Sequence, residues 1–156
     1  MILVVMGVSG AGKSTIGRLL AERLGWRFLD ADEFHPPENV AKMRAGTPLT
    51  DDDRRPWLEK LNSMLRKETD AVLACSALKR IYRDRLTSGL PESQIVFLRG
   101  DIELIRSRMK QRHHRYMPAS LLESQFATLE PPAKAIEVDI GAAPQACVDA
   151  ILVHLR

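Results

Sequence analysis

The sequence predicts an α/β fold with a five-stranded parallel sheet, helices on both faces of that sheet, and a lid. Apolar segments of strand length alternate with segments whose apolar residues recur at helical spacing, and this alternation is typical of parallel sheets. Residues 2–6 are apolar at all five positions, as expected for a strand that is buried on both faces. Right-handed crossovers place the intervening helices on the two faces. The remaining strands are predicted at residues 26–29, 71–76, 94–98 and 135–140.

Composition limits the class of protein. A chain of 156 residues is long enough for one domain with a substantial core, and 45% hydrophobic and 28% charged residues are ordinary for a globular protein. No apolar segment approaches the length of a membrane span, and a chain that begins directly in a strand predicts no cleaved signal peptide and a cytoplasmic location. Cys75 and Cys147 are too few for a disulfide framework, so we expect buried, reduced thiols. A net charge of +3 does not require a nucleic-acid partner, because a polyanionic small substrate explains it equally well.

A glycine-rich motif joins the first strand to the first helix. Residues 7–14 match G-x-x-x-x-G-K-[ST] at every fixed position. The glycines let backbone N–H groups approach phosphate oxygens, and the N-terminus of the following helix adds partial positive charge. Lys13 can reach the β- and γ-phosphates, and the Ser14 hydroxyl is a ligand for Mg²⁺. A turn without a ligand is the alternative, but the motif and its flanks favour a nucleotide-binding loop made of Gly7, Val8, Ser9, Gly10, Ala11, Gly12, Lys13, Ser14 and Thr15.

Two carboxylates, Asp30 and Asp32, follow the second predicted strand. Open parallel sheets bind ligands at the carboxyl ends of their strands, so both side chains can point into that crevice. One carboxylate could hold Mg²⁺ through water, and the other could accept the proton of an attacking hydroxyl group. The alternative is a solvated acidic turn. His35 is either a substrate contact or a surface histidine.

Lys79 and Arg80 follow the third predicted strand. Cations at this end of the sheet could pair with a carboxylate or phosphate of a substrate, and the alternative is an exposed basic helix start. The acidic residues 51–53 are interpreted differently. Thr50 and Asp53 have the spacing of a helix cap, so we expect a helix start here rather than a metal site.

A basic helix follows the fourth predicted strand. Its second half carries Arg106, Arg108 and Arg112. Cations suit the C-terminal half of a helix dipole, but they also suit a lid that lays arginines over transferring phosphates. We favour a lid at about residues 113–132. The histidines at 113 and 114 have no matching set of zinc ligands.

Several stretches of this sequence resemble the gluconate kinases (gluconokinases), a family of P-loop small-molecule kinases. They are residues 7–15, 30–39, 42–58 and 74–84, with a further similarity at 121–130. The phosphate loop is generic, whereas 30–39, 42–58 and 74–84 are specific to this family within the P-loop kinases. The resemblance covers nearly the whole chain. It implies a P-loop kinase fold over residues 1–156, similar to nucleoside monophosphate kinases and shikimate kinases.

The resemblance also implies an activity. It is ATP- and Mg²⁺-dependent phosphorylation of the 6-hydroxyl of D-gluconate, commonly by a homodimer. By position, Ser14 and Asp30 serve Mg²⁺, and Asp32 orients and deprotonates the hydroxyl. Arg115-Tyr116 departs from the His-Phe pair usual in the family's lid. The implied catalytic residues are Lys13, Asp32 and Arg112, and the implied sugar-acid pocket consists of Asp32, His35, Arg44, Lys79 and Arg80.

Other functions remain open at this point. A different small-molecule kinase, such as a shikimate kinase, would share the phosphate loop but not the stretch at 35–58. A regulatory nucleotide switch would be expected to carry a guanine-reading Asn-Lys-x-Asp motif, which the sequence lacks. A nucleic-acid-dependent ATPase would be expected to carry a stronger positive charge.

Overall fold

The computed structural model describes residues 1–111 and 120–155, with side chains at residues 1–109 and 122–155. This part of the chain contains a five-stranded sheet in the order β2-β3-β1-β4-β5. Each pair of neighbouring strands is parallel, which confirms the predicted sheet. The strands are β1 (Ile2–Met6), β2 (Arg27–Asp30), β3 (Ala71–Ala74), β4 (Ser93–Arg99) and β5 (Ile136–Asp139).

Helices cover both faces of the sheet, as predicted. They are α1 (Lys13–Leu24), α2 (Pro37–Arg44), α3 (Asp51–Arg66), α4 (Arg80–Thr87), α5 (Ile102–Gln111), α6 (Ser120–Thr128) and α7 (Pro144–His154). Side chains alternate between the faces along β1. Leu3 and Val5 contribute to the core shared with α1, α5, α6 and α7, whereas Ile2, Val4 and Met6 pack against α3 and α4.

The helix boundaries follow local sequence signals. Gly12 (φ 94°) precedes α1 and Gly25 (φ 71°) follows it, both in the left-handed region that favours glycine. The predicted cap of α3 is confirmed. The Thr50 hydroxyl accepts the N–H of Asp53, and the Asp53 carboxylate accepts the N–H of Thr50. The acidic residues 51–53 therefore form a helix start.

The segment after β2 is not the solvated acidic turn that was the alternative interpretation of the sequence. The strand extends to Asp30, and a 3₁₀ helix follows at Ala31–Phe34. The Asp30 carboxylate caps that helix by accepting the N–H of Asp32 at 3.1 Å. This cap explains the difference, because it satisfies an N–H group that has no partner within the helix.

Two other sequence predictions concern chemistry and location. Cys75 and Cys147 are free and buried, as predicted, and burial raises the pKa of the Cys75 thiol to about 12. Within residues 1–111 and 120–155, no helix has the length and apolar character needed to cross a bilayer. Part of the predicted lid at about residues 113–132 lies outside the described residues, and so does Arg112. The described part of the lid contains α6.

Candidate active site

The phosphate loop lies at the carboxyl end of β1, between the sheet and α5. Gly10 has a φ of 84°, and a Cβ added there would lie 2.9 Å from Cγ of Met109 and 3.0 Å from Cγ2 of Ile105. Real Cβ contacts are not that short, so the loop can pass beneath α5 only with glycine at this position. The helix therefore presses directly on the loop.

Lys13 points back across this loop. Its ammonium donates to the Val8 carbonyl at 3.0 Å. Desolvation lowers the pKa of Lys13, and the negative charges of Asp32 and Asp30 oppose that change. An ammonium that has lost much of its hydration interacts more strongly with an incoming phosphate than a solvated one does. This position suits the predicted role of Lys13 as the phosphate-binding cation of the loop.

Ser14 and Asp30 come together beside the loop. The Ser14 hydroxyl donates to Oδ2 of Asp30 at 3.2 Å. Among the described residues, no group of three or more His, Cys, Asp and Glu side chains could hold a metal ion by itself. Mg²⁺ at phosphoryl-transfer sites commonly uses one or two protein oxygens and takes its other ligands from phosphates and water. The two oxygens of Ser14 and Asp30 fit that pattern.

A cavity that is open to solvent lies next to the phosphate loop. Its wall brings together Lys13, Asp32 and His35, three of the residues predicted from the sequence. Further lining residues come from the loop, from α3 and from α6, and they include Ser9, Arg54, Trp57, Ser124, Gln125 and Thr128.

The hydrogen bonds around His35 determine which ring nitrogen carries its proton. The Asn39 amide nitrogen donates to the Asp53 carbonyl at 2.9 Å, which fixes the orientation of that amide. The same nitrogen lies 3.3 Å from Nδ1 of His35, so Nδ1 must accept. The proton of the neutral ring is therefore on Nε2, which lies 3.8 Å from Oδ1 of Asp32.

Burial keeps the His35 ring neutral. Its side chain is 3% exposed and stacks on Trp57, with the ring centroids 3.9 Å apart. Trp57 is fixed in turn because its indole N–H donates to the Ala31 carbonyl at 2.8 Å. Desolvation, with a further contribution from the positive charge of Arg54, lowers the pKa of His35 to about 4. At neutral pH the ring presents an uncharged N–H donor to the cavity.

Arg54 is a second cation on the cavity wall. Its guanidinium donates to the Leu49 carbonyl at 2.6 Å and to the Tyr82 hydroxyl at 3.0 Å. The Tyr82 hydroxyl donates in turn to Asp51 through a short hydrogen bond. The hydrogen bond from Tyr82, reinforced by one from Lys79, lowers the pKa of Asp51. Arg54 is thus held in place by neutral oxygen acceptors on α4 and the loop before α3.

The other predicted cations lie away from the cavity. Lys79 donates to Asp51 at 3.0 Å, exposed Arg80 pairs with Asp84 at 3.8 Å, and Arg44 is exposed on α2. None of these three side chains lines the cavity. Their role in substrate binding stays a prediction. The predicted contribution of Arg112 lies outside the described residues.

A second cavity adjoins the other side of the phosphate loop. Gly12 and Thr15 line it together with Arg108 and the segment 140–144. Arg108 donates to the Ile140 carbonyl, which ties α5 to that segment. A cavity in contact with the start of α1 is where the rest of a nucleotide would extend from the loop. The resemblance to gluconate kinases also implies adenine contacts near Arg112 and the loop at residues 141–144, and these contacts stay a prediction.

Two residues on the wall of the first cavity, Arg54 and Gln125, are not among the site residues predicted from the sequence. Arg54 precedes Trp57 by three positions, so the two share a helix face, and this spacing was the available signal. Gln125 accepts the N–H of Ser9 at 2.6 Å. Its signal was a polar residue at helical spacing from Leu122 and Leu129.

Comparison with known proteins agrees with this geometry. The family model of shikimate kinase matches residues 9–130. A gluconokinase of Gluconobacter oxydans (strain 621H) is 49% identical, with 83% of this chain and 75% of the relative covered. A probable gluconokinase of Rattus norvegicus is 47% identical, with coverages of 85% and 83%. The crystal structure of a gluconokinase from Sinorhizobium meliloti 1021 has a TM-score of 0.91 at 44% identity, and the match covers 98% of this chain and 90% of that one. With its P-loop kinase fold, the chain belongs to the gluconokinase family, within the wider group of shikimate-kinase-like proteins.

Proposed function

We propose that this protein transfers the γ-phosphoryl group of ATP to the 6-hydroxyl of D-gluconate, which gives 6-phospho-D-gluconate. One observation carries the proposal. Lys13 of the phosphate loop, the Asp32 carboxylate and the Arg54 guanidinium line the same cavity. These groups supply a cation for phosphate, a proton acceptor for a hydroxyl group and a cation for an acidic acceptor. The names of the relatives point to the same acceptor.

On the phosphate side, the chain supplies charge neutralisation and positioning. The N–H groups of the phosphate loop other than those of Gly7, Ser9 and Ala11, which donate within the protein, act together with the N-terminus of α1 and Lys13. They hold the phosphates in line with the first cavity, the acceptor cavity. Mg²⁺, when bound, spreads the negative charge of the phosphates. Ser14 and Asp30 would hold that ion, because their oxygens lie 3.2 Å apart beside the loop. By the family resemblance, Arg112 would supply a further cation for the transferring group.

On the acceptor side, Asp32 orients the attacking hydroxyl and accepts its proton. The transition state of phosphoryl transfer is loose, so placing the nucleophile in line contributes more than strong activation does. The neutral His35 ring directs its Nε2–H toward this carboxylate from 3.8 Å. It can therefore donate a hydrogen bond to a sugar hydroxyl without adding charge.

The carboxylate of the sugar acid binds to Arg54. A planar guanidinium held by two acceptors is well suited to a carboxylate, since it keeps further N–H groups in a fixed plane. His35, Arg44, Lys79 and Arg80 remain in the proposal as substrate-binding residues. Single alanine variants at these four positions test each one through the KM for gluconate.

The test is phosphoryl transfer by the purified protein with ATP and Mg²⁺. D-gluconate, other aldonic acids, shikimate and nucleoside monophosphates are offered separately, and ³¹P NMR locates the new phosphate. We expect strong turnover with gluconate, phosphate on its 6-position and loss of activity when EDTA removes the metal. Turnover with shikimate or a nucleotide but not with gluconate would contradict the proposed acceptor.

We also infer that residues 1–156 work as one domain, that the protein is cytoplasmic and, on the strength of the family resemblance, that it is a homodimer. From the modest net charge and the lack of a long apolar segment in the sequence, we expect no nucleic-acid partner and no membrane association. Light scattering of the purified protein tests the dimer, and cell fractionation tests the location. A monomer at assay concentration, or binding to DNA that weakens steeply with salt, would count against these inferences.

A further inference from the structure

Gln125 is a buried polar side chain on an otherwise apolar face of α6. Leu122 is 1% exposed, Gln125 is 9% exposed, and Phe126 and Leu129 pack against the same core. Burying an amide costs free energy unless it is hydrogen-bonded. An apolar residue would serve the packing of this face, so the contacts of the amide need an explanation.

The amide reaches the phosphate loop. Its Oε1 accepts the N–H of Ser9 at 2.6 Å, across 116 residues of sequence. Ser9 is the third residue of the loop, and both Ser9 and Gln125 line the acceptor cavity beside Lys13. The hydrogen bond therefore lies on the wall that the loop shares with the acceptor cavity.

The attachment of α6 does not depend on this hydrogen bond. After the helix, the N–H of Glu130 donates to the Leu78 carbonyl at 2.7 Å, and Arg83 donates to the Glu130 carbonyl at 2.9 Å. Within the helix, Glu123 accepts from Arg106 of α5 at 3.0 Å. These contacts and the packing of Leu122 already attach the helix. The hydrogen bond that Gln125 accepts from Ser9 therefore acts mainly on the loop.

The loop is thereby held by two helices. Met109 and Ile105 of α5 pack close to Gly10, and Gln125 of α6 holds the neighbouring N–H of Ser9. Donors that stabilise a transferring phosphoryl group are effective when they are already in place before the reaction. The contact with α5 and the hydrogen bond to Gln125 both restrict movement of the loop.

We propose that Gln125 is a positioning residue for phosphoryl transfer, which holds the Ser9 N–H and thereby fixes the wall between the phosphate loop and the acceptor cavity. A fixed wall also keeps water from taking the place of the acceptor hydroxyl. The proposal rests on the proposed function for the identity of the acceptor. The contact with Ser9 itself does not depend on that identity.

The experiment compares wild type with Gln125→Leu, which keeps the volume of the side chain and removes the acceptor. Three quantities are measured: amide hydrogen exchange at Ser9 by NMR, kcat with gluconate, and ADP released per phosphorylated product. We expect faster exchange, a kcat lower by about 5- to 30-fold, a KM for ATP within about twofold, and a ratio above one. Gln94→Leu is the matched control, since Gln94 is exposed on β4, and it should leave all of these at wild-type values.

The results distinguish positioning from a merely structural role. Unchanged exchange at Ser9, or faster exchange with unchanged kcat and ratio, would overturn the proposal. Gln125→Met, of similar shape, provides the same comparison if the leucine variant does not fold. Gln125→Glu retains an acceptor oxygen and should retain slow exchange. If wild type does not phosphorylate gluconate, the proposed function fails, but Ser9 exchange and ATP hydrolysis without an acceptor still decide the role of Gln125.

Discussion

Replacing His35 by phenylalanine should make the stability of the protein less dependent on pH. Phenylalanine keeps an aromatic ring against Trp57 and removes the titrating group. In the wild type, burial and the charge of Arg54 lower the pKa of His35 from 6.5 to about 4. His35 therefore binds a proton only at a lower pH in the folded protein than in the unfolded chain.

The direction and size of the effect follow from linkage. Between the unfolded pKa of 6.5 and the folded pKa of about 4, the unfolded state binds more protons, so wild-type stability falls as the pH is lowered through this window. The contribution is close to zero near neutral pH. At about pH 4.5 it amounts to roughly 2.5 kcal/mol of lost stability. Below the folded pKa, no further loss comes from this residue.

Urea unfolding near neutral pH and at about pH 4.5 measures the effect. The quantity of interest is the change in unfolding free energy between the two pH values, so any constant cost of the substitution cancels. Acidic groups whose pKa is lowered, such as Asp51 beside Tyr82 and Asp53 beside Lys42, lose stabilisation at low pH in every variant and cancel as well. His35→Gln should flatten the pH dependence as much as His35→Phe. A pH-dependent loss equal to that of wild type in both variants would refute the assignment of a buried, neutral His35.

Three further substitutions test the site and the fold. Lys13→Ala should lower turnover by at least about 100-fold, because it removes the proposed phosphate-binding cation. It should not lower the melting temperature, because the ammonium that it removes is desolvated in the folded protein. Near-normal turnover would contradict the role of Lys13. Asp32→Asn should lower kcat by about 100-fold or more while the KM for ATP changes by less than about twofold; the reverse pattern would make Asp32 a structural residue. Thr50→Ala should cost about 1 kcal/mol in urea unfolding through loss of the cap on α3, and exposed Ser63→Ala is its control on the same helix. Equal stabilities of these last two variants would contradict the capping role.

The phosphate loop and the sheet could be predicted from the sequence because their signals are local. Residues 7–14 specify a loop conformation through glycines at set positions, and the apolar residues 2–6 specify a strand covered on both faces. The capping residues Thr50 and Asp53 lie only three positions apart, so their pairing also needs no knowledge of tertiary structure. General rules for crossovers predicted a parallel sheet with helices on both faces, whereas the strand order β2-β3-β1-β4-β5 came only from the structure.

The sources of positive charge in the acceptor cavity could not be predicted in the same way. Lys79 and Arg80 follow a strand at the correct edge, but their side chains pair with Asp51 and Asp84 and do not line the cavity. Asp51 belongs to α3, so sequence position does not show that it meets Lys79, whereas Arg80 and Asp84 lie four positions apart on α4. Arg54 lines the cavity from α3, which packs on the face of the sheet that carries Val4 and Met6, and that placement depends on long-range packing.

The neutral state of His35 has a consequence for the proposed chemistry. A protonated imidazole 3.8 Å from Asp32 would attract the negative charge of that carboxylate and weaken it as a proton acceptor. It would also compete with Lys13 for the same charge. The stacking on Trp57 and the bond from Asn39 prevent both effects, since they bury the ring and direct its single proton outward from Nε2. Burial of this histidine therefore supports the proposed role of Asp32 as the base and the proposed role of Lys13 in binding the phosphates.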